Sequence, residues 1–341
     1  MEQQRVSRLQ RIVRSKAFTL FVLLAVLILG FGFLSPVIKR GAMFFHSNTL
    51  KTTLQDLSIP AFLAIGAGCL MVSGSLDFSQ ARVGAFGGII VAAGIQWWGL
   101  NWGAAIIIAL ALSAIIGLVN AILVNELKFQ PFIATMAMSS VIYSVMYLVA
   151  TDRTGQIQST INFTNEGLTK IIDWNLKIGS FELPGTVLLL LAAFVVYGLL
   201  LSKTRFGRQL YLIGGNATAA RLSGIDAKKT SYFLFINCSV LSGLAGIIYT
   251  GRTRQGSLLA LANDQFTGMT AAILGGISFG GGSGGMGGAF LGLLVIKTFS
   301  KGLAIINVNT YLTNVLSGAL LLAALTFDYF SQRSQRKRIG I

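Results

Sequence analysis

GAAIIIALALSAIIGLVNAILVN, residues 103–125, runs for 23 residues without one charged side chain. About 20 consecutive apolar residues are what a helix needs to cross the hydrocarbon core of a bilayer. Nine further apolar runs lie around it, near 17–37, 54–73, 80–98, 131–150, 184–202, 231–250, 264–279, 286–304 and 310–328. The reading is an all-α fold, a polytopic transmembrane helical bundle of about ten helices. Composition agrees. Only 11% of the 341 residues are charged and 54% are hydrophobic, with a mean hydropathy of +0.72, whereas a soluble domain usually carries about 25% charged residues. So few charges cannot cover a water-facing surface, so lipid must be the solvent.

Charge placement sets the expected orientation. Arg5, Arg8, Arg11, Arg14 and Lys16 precede the run Ala17–Val37, which is too long and lacks the small-residue cleavage pattern of a signal peptide. It reads as an uncleaved first helix. With both termini inside, those five residues join Lys128, Lys203, Arg205, Arg208, Arg221, Lys228, Lys229, Arg333, Arg336, Lys337 and Arg338 in cytoplasmic segments. Lys39, Arg40, Lys51, Arg153, Lys170, Lys177, Arg252 and Arg254 fall outside, sixteen basic residues against eight. That is the sense of the positive-inside rule, although Arg252 and Arg254 fit it poorly. Trp97, Trp98 and Trp102 fall at an expected outer boundary, where an aromatic belt belongs. The net charge of +16 is then membrane topology, and no nucleic-acid partner is expected.

Other classes drop out. The single histidine, His46, and the two cysteines, Cys69 and Cys238, both inside apolar runs, leave no metal site and no histidine-centred catalysis. The acids Asp77, Asp173, Glu182 and Asp264 lie in different segments with no motif joining them, so no catalytic residues are assigned. Gly282, Gly284 and Gly287 match a dinucleotide fingerprint by chance, since no strand precedes them and no acid follows at the required distance. No P-loop occurs, so the chain has no cofactor of its own, and any ATP must be bound by a partner subunit. An ion-coupled secondary transporter is the alternative class. It would ordinarily show intramembrane acids, and only Asp77 and Asp264 come near a span interior.

Two loops are long. Thr151 to Pro184, expected outside, is rich in Thr, Asn and Gln and suits either an extracytoplasmic partner or a plain surface loop. Lys203 to Thr230 reads KTRFGRQLYLIGGNATAARLSGIDAKKT. Gly214 and Gly215 break the chain, Asn216 suits an N-cap and Gly224 a C-terminal cap, which predicts a two-turn helix over Ala217–Ser223. Leu222 and Ile225 give it a small apolar face. So short a helix is marginal alone and needs a surface to dock on, either lipid headgroups or a partner.

This segment resembles the coupling loop of the ribose/xylose-type permeases of bacterial sugar ABC importers, within the branched-chain amino acid/ribose permease superfamily. Members carry T-x-x-G followed by a G-G-N-x-x-A-A-x-x-x-G-I-like pattern, matched here by Thr204, Gly207, Gly214, Gly215, Asn216, Ala219, Ala220, Gly224 and Ile225. Arg221 lies within the same ATPase-coupling segment. The resemblance continues through AILGGISFGGGSGGMGGAFLG (272–292) and TNVLSGALLLAALTFD (313–328). It implies an inner-membrane permease with an ABC ATPase subunit docked on this loop, an extracytoplasmic solute-binding protein, and a second copy or related permease closing the path. The implied domains are basic tails at 1–16 and 329–341 around a transmembrane unit, 17–328, whose coupling loop is 203–230.

The chain departs from the family near the second span. Where many members have G-G-I-D-L-S-V-G, it has Gly74-Ser75-Leu76-Asp77-Phe78-Ser79, then Gln80-Ala81-Arg82 before Val83-Gly84. The fifth span reads Thr135-Met136-Ala137 then Ser139-Ser140, without the usual Arg-Gly. These departures bear on which solute is carried. A glycine-rich internal repeat is also visible: Gly74-x-Leu76-x-Phe78 echoes as Gly275-x-Ile277-x-Phe279, and Gly84-Ala85-Phe86-x-Gly88 as Gly288-Ala289-Phe290-x-Gly292, with the two copies expected to run parallel. Gly84/Gly88 and Gly288/Gly292 have the spacing that lets helices approach closely in lipid. The two breaks nominate Asp77, Phe78, Ser79, Ser278 and Phe279 as the substrate pathway, with freed backbone groups meeting solute hydroxyls. Asp77 has a second reading, an ion pair with Arg82.

Overall fold

The computed structural model describes residues 16–38, 44–152, 154–179 and 181–309, with scattered positions between 311 and 326. The basic tails, apart from the helical Lys16, and nearly half of the apolar run 310–328 lie outside the described residues. Among the latter, seven helices are long and apolar enough to cross a membrane. These are α1 (Lys16–Ile38), α2 (Ser47–Val72), α4 (Trp102–Asn125), α5 (Pro131–Val149), α7 (Gly185–Lys203), α10 (Ala227–Thr253) and α12 (Met286–Ile305). Three shorter helices, α6 (Glu166–Ile172), α8 (Arg205–Gly215) and α9 (Ala217–Leu222), lie outside these spans.

Two more apolar runs form helices too short for that count. They are α3 (Gln80–Gln96) and α11 (Asp264–Leu274), and each adjoins a glycine break. At 1.5 Å per residue α11 reaches only about 16 Å, roughly half of a hydrocarbon core of about 30 Å. The sequence reading carried it to residue 279. The helix ends instead at Gly275, and Gly276 beyond it has φ +94°.

α2 is the axis of the bundle. From Leu57 to Val72 every side chain is buried, so this helix is ringed by protein. α10 packs along α2, α3 and α4, while α11 and α12 close the other side. Small residues make the approach possible. A β-carbon on Gly246 of α10 would overlap the Gly84 carbonyl of α3, and one on Gly292 of α12 would overlap the Ala271 carbonyl of α11. Backbone contact of this kind supplies dispersion where lipid tails remove any hydrophobic advantage of burial.

The end away from α8 and α9 carries a small cap that sequence reading took for a polar loop. There β1 (Thr160–Asn162) pairs antiparallel with β4 (Gln255–Ser257), and β2 (Asn175–Ile178) with β3 (Phe181–Pro184). Asp152 anchors its start. The Thr154 hydroxyl, the Gln158 amide and the backbone N–H groups of Gln156 and Thr154 all donate to it, holding its carboxyl at about 2. Arg252, awkward as an outside charge, donates to the Gln55 carbonyl (2.8 Å) and to Asp56 (3.0 Å), which Lys301 also approaches at 3.4 Å. Asp56 and Lys301, together with the Lys297–Asp264 pair (2.9 Å), line a cleft of about 380 Å³.

Candidate functional site: the coupling segment and the glycine junction

Local sequence builds the coupling segment as two short helices. Thr204 caps α8 by accepting from the Gly207 amide (3.1 Å), and Asn216 caps α9 by accepting from the Ala219 amide (2.9 Å). Each satisfies a donor that the helix start leaves open. α9 ends with the Ile225 amide donating to the Ala220 carbonyl and Gly224 in the left-handed region at φ +77°. This is the C-terminal cap that glycine tolerates without steric cost. Ala220 is buried and Arg221 exposed, while Leu222 stands 85% exposed.

One part of the reading changes. Gly214 and Gly215 do not break the chain but form the last turn of α8, and the chain turns at Asn216. The reason is tertiary. A β-carbon on Gly214 would overlap the Val72 carbonyl and stand 2.6 Å from the Gly282 nitrogen, so the glycine lets α8 lie against other backbone. The Gly282 amide itself donates to the Val72 carbonyl (2.9 Å), and the Tyr211 hydroxyl of α8 donates to the Gly284 carbonyl (2.7 Å). The end of α2, the loop from α11 to α12, and the end of α8 therefore meet at one backbone junction. Val72, Tyr211 and Gly282 were not legible as site residues. The only hint was that three glycine-containing stretches occur in the chain, and nothing in the sequence says that they touch.

A second tie joins the end of α4 to the start of α10. Glu126, just beyond α4, receives Lys228 (2.7 Å) and the Tyr232 hydroxyl (2.7 Å) from the start of α10. The bond from Lys228, then that from Tyr232, holds its carboxyl below the usual range.

The five residues nominated for the pathway are divided. Asp77 and Ser79 are fully buried and Ser278 nearly so, while Phe78 is half-buried and Phe279 is 49% exposed. The break restarts as α3 through an Asx-type turn: Asp77 Oδ1 accepts from the Ser79 amide (2.7 Å) and hydroxyl (2.6 Å), and Ser79 Oγ accepts from Asn120 Nδ2 (3.0 Å). The Phe78 amide donates to Thr135 Oγ1 (3.0 Å) and the Gly280 amide to Ser278 Oγ (3.2 Å). Backbone groups that the breaks release are thus taken up by protein, which is what a bilayer interior requires. The alternative Asp77–Arg82 pair does not form. Arg82 Nη1 donates to the Leu258 carbonyl (3.1 Å), and its guanidinium sits 4.0 Å from the Tyr143 ring centroid.

Asp77→Ala removes the acceptor of two donors, an omission that costs roughly 1–3 kcal/mol per unsatisfied buried group. The variant is expected to unfold several degrees lower in detergent, with Asp77→Asn, which keeps an acceptor oxygen, close to wild type. Equal melting of the two variants would contradict the turn role.

A bundle of apolar helices with broken spans meeting an amphipathic segment beyond the membrane defines a multi-pass transport permease. The chain belongs to the branched-chain amino acid transport system / permease component family, whose model matches residues 49–325. Its relatives place it among the ribose/xylose-type sugar ABC permeases. It is 32% identical over 289 residues to the ribose import permease protein RbsC of Escherichia coli (strain K12), covering 84% of this chain and 87% of that one. It is 28% identical over 280 residues to the L-arabinose transport system permease protein AraH of Escherichia coli (strain K12), 82% of each, and 29% identical over 312 residues to the D-allose permease AlsC of the same strain, 90% of each. These relatives are transport permeases and not enzymes, and the chain is a multi-pass inner-membrane subunit of an ABC importer.

Proposed function

We propose that this chain moves a sugar or sugar-like solute inward by alternating access, driven by ATP hydrolysis on a separate subunit that docks on α8 and α9. The observation that carries the mechanism is the junction of Gly214 with Val72 and Gly282. A force applied to α8 reaches both broken spans through backbone contact, with no flexible side chain in between. Closely packed elements shift as units rather than deform, so a small displacement at the docking segment becomes a rearrangement of α2 and of the loop between α11 and α12. Ribose, arabinose, allose and xylose in the names of its relatives support the solute class.

A second copy or related permease closes the path, and a solute-binding protein delivers to the end bearing the cap, where Ile157, Ile171 and Trp174 are exposed. ATP stays on the ATPase, and this chain binds no cofactor. Of the nominated pathway residues, Phe78 and Phe279 offer exposed surface toward solute, while Asp77, Ser79 and Ser278 shape the backbone behind them. Both termini and residues 203–230 are cytoplasmic.

Reconstituted with its ATPase and binding protein, the chain should admit at least one of a panel of labelled pentoses and hexoses only when ATP is present. Uptake driven by an ion gradient without ATP would replace this reading with a secondary transporter. Reporters fused at Asn216 and Ser159 should report opposite sides of the membrane, and the same side for both would reverse the orientation.

A further inference from the structure

Arg82 is unusual for a span residue. It lies three positions into α3, partly buried, and among the described residues no carboxylate lies within salt-bridge distance of it. One N–H goes to the Leu258 carbonyl and the guanidinium face covers Tyr143. The rest of its donor fork has no acceptor among the described residues. An ionised side chain at such a position is tolerated where it faces a water-filled cavity or protein, not lipid.

The surface beside it fits a cavity wall. At about 100° per residue, Phe132, Met136, Tyr143 and Tyr147 of α5 fall within an arc of about 60°. From Phe132 to Tyr147 the stripe covers about 22 Å, most of a hydrocarbon core of about 30 Å. The stripe follows the seam with α3: Phe78 meets Phe132 edge-on at 5.0 Å near one end, and Arg82 meets Tyr143 further along. The Tyr143 and Tyr147 hydroxyls bond each other at 2.8 Å. Phe132 and Met136 are 47% and 48% exposed. Aromatic faces, two phenolic hydroxyls and an acid-free guanidinium thus lie along one lane that crosses the membrane.

We propose that this lane is the solute-facing wall of the path and that Arg82, with Tyr143 and Tyr147, is the site that selects the sugar. The guanidinium fork donates to a pair of neighbouring sugar hydroxyls, the phenolic hydroxyls donate or accept at the next, and the apolar face of the ring rests on Phe132 and Phe78. The proposal rests on the sugar-import reading. It gives Arg82, which stands within the departure from the family's G-G-I-D-L-S-V-G pattern, a role in specificity.

Two measurements test it, and the first does not depend on the solute. Ser140→Cys, at the edge of the lane, and Val141→Cys, turned about 100° further from the seam, are exposed in cells to a hydrophilic thiol reagent. The native cysteines, Cys69 and Cys238, are buried. Ser140→Cys is expected to react at least about tenfold faster than Val141→Cys, an accelerated reaction that marks water in the lane. Equal, slow labelling of both overturns the lane, whatever the protein carries. The second measurement is uptake by Arg82→Gln and Tyr143→Phe across sugar epimers. The expected result is a KM raised about tenfold or more for Arg82→Gln, and an altered epimer preference for Tyr143→Phe, with melting temperature unchanged. Unchanged KM and epimer ratio overturn the selective role, as does a loss of uptake that only follows loss of folded protein. If wild type carries no sugar of the panel but Ser140→Cys labels fast, the sugar reading fails and the wet lane stands.

Discussion

Gly214→Leu should lower ATP-driven uptake by at least about tenfold while the ATPase subunit still co-purifies with the permease. The new side chain has nowhere to go, because its β-carbon already overlaps the Val72 carbonyl and approaches the Gly282 nitrogen. Overpacking of this kind typically costs about 1–3 kcal/mol, and here it falls on the contact between the docking segment and both breaks. The hydrogen bond from Gly282 to Val72 would be wedged apart, so movement of α8 would no longer be passed to α2 in register. Gly215 supplies the control, since a β-carbon there meets nothing within 4 Å. Gly215→Leu should leave the junction intact and act only through the ATPase contact. Where Gly214→Leu proves too disruptive to insert, Tyr211→Phe removes only the hydroxyl bond to Gly284 and should reduce uptake several-fold at normal yield. Wild-type uptake in both junction variants would remove the mechanical role assigned to it.

Leu222→Asp should separate the two subunits. This residue is 85% exposed at the end of a helix of 6 residues, and a helix that short is held by what it docks on. Covering a leucine side chain is worth about 1.5–3 kcal/mol, equivalent to roughly 10- to 100-fold in affinity. An aspartate there would lose that contribution and carry its own desolvation cost into the contact. Capture of the ATPase by the tagged permease is expected to fall at least about tenfold, with permease yield and melting unchanged. Undiminished capture would mean that α9 is not the docking element.

The ends of the coupling segment were legible because capping is local chemistry. Asn216 and Gly224 act within a few residues of themselves, and both do what their side-chain types dictate. The last turn of α8 was misread for the converse reason. Two glycines normally weaken a helix, and only the approach of Val72 and Gly282 makes a side chain at Gly214 worse than none. The Asp77–Arg82 pairing suffered from the same blindness. Sequence proximity suggested a bridge, but Asp77 turns inward to Ser79 while Arg82 reaches the Tyr143 ring and the Leu258 carbonyl, both distant in sequence. The strand pairs of the cap were also invisible, since β1 and β4 are three residues each and are separated in the chain by five helices.

By itself the sequence determined that the chain is solvated by lipid and where most of its helices run, because a bilayer demands long uncharged stretches that need no context to recognise. Motif order determined the family. Which helix lies at the centre was decided only in three dimensions. The most apolar spans, Ala17–Val37 and Trp102–Asn125, are largely exposed, whereas Ser47–Val72, among the least apolar, is the most buried. A lipid-facing span must be uniformly apolar, since its neighbours are hydrocarbon. A central span is surrounded by protein and can carry the glycines and polar groups that let backbones touch. Tertiary packing therefore chose α2 as the axis, brought Val72, Gly214 and Gly282 together, and set Arg82 on the face of Tyr143.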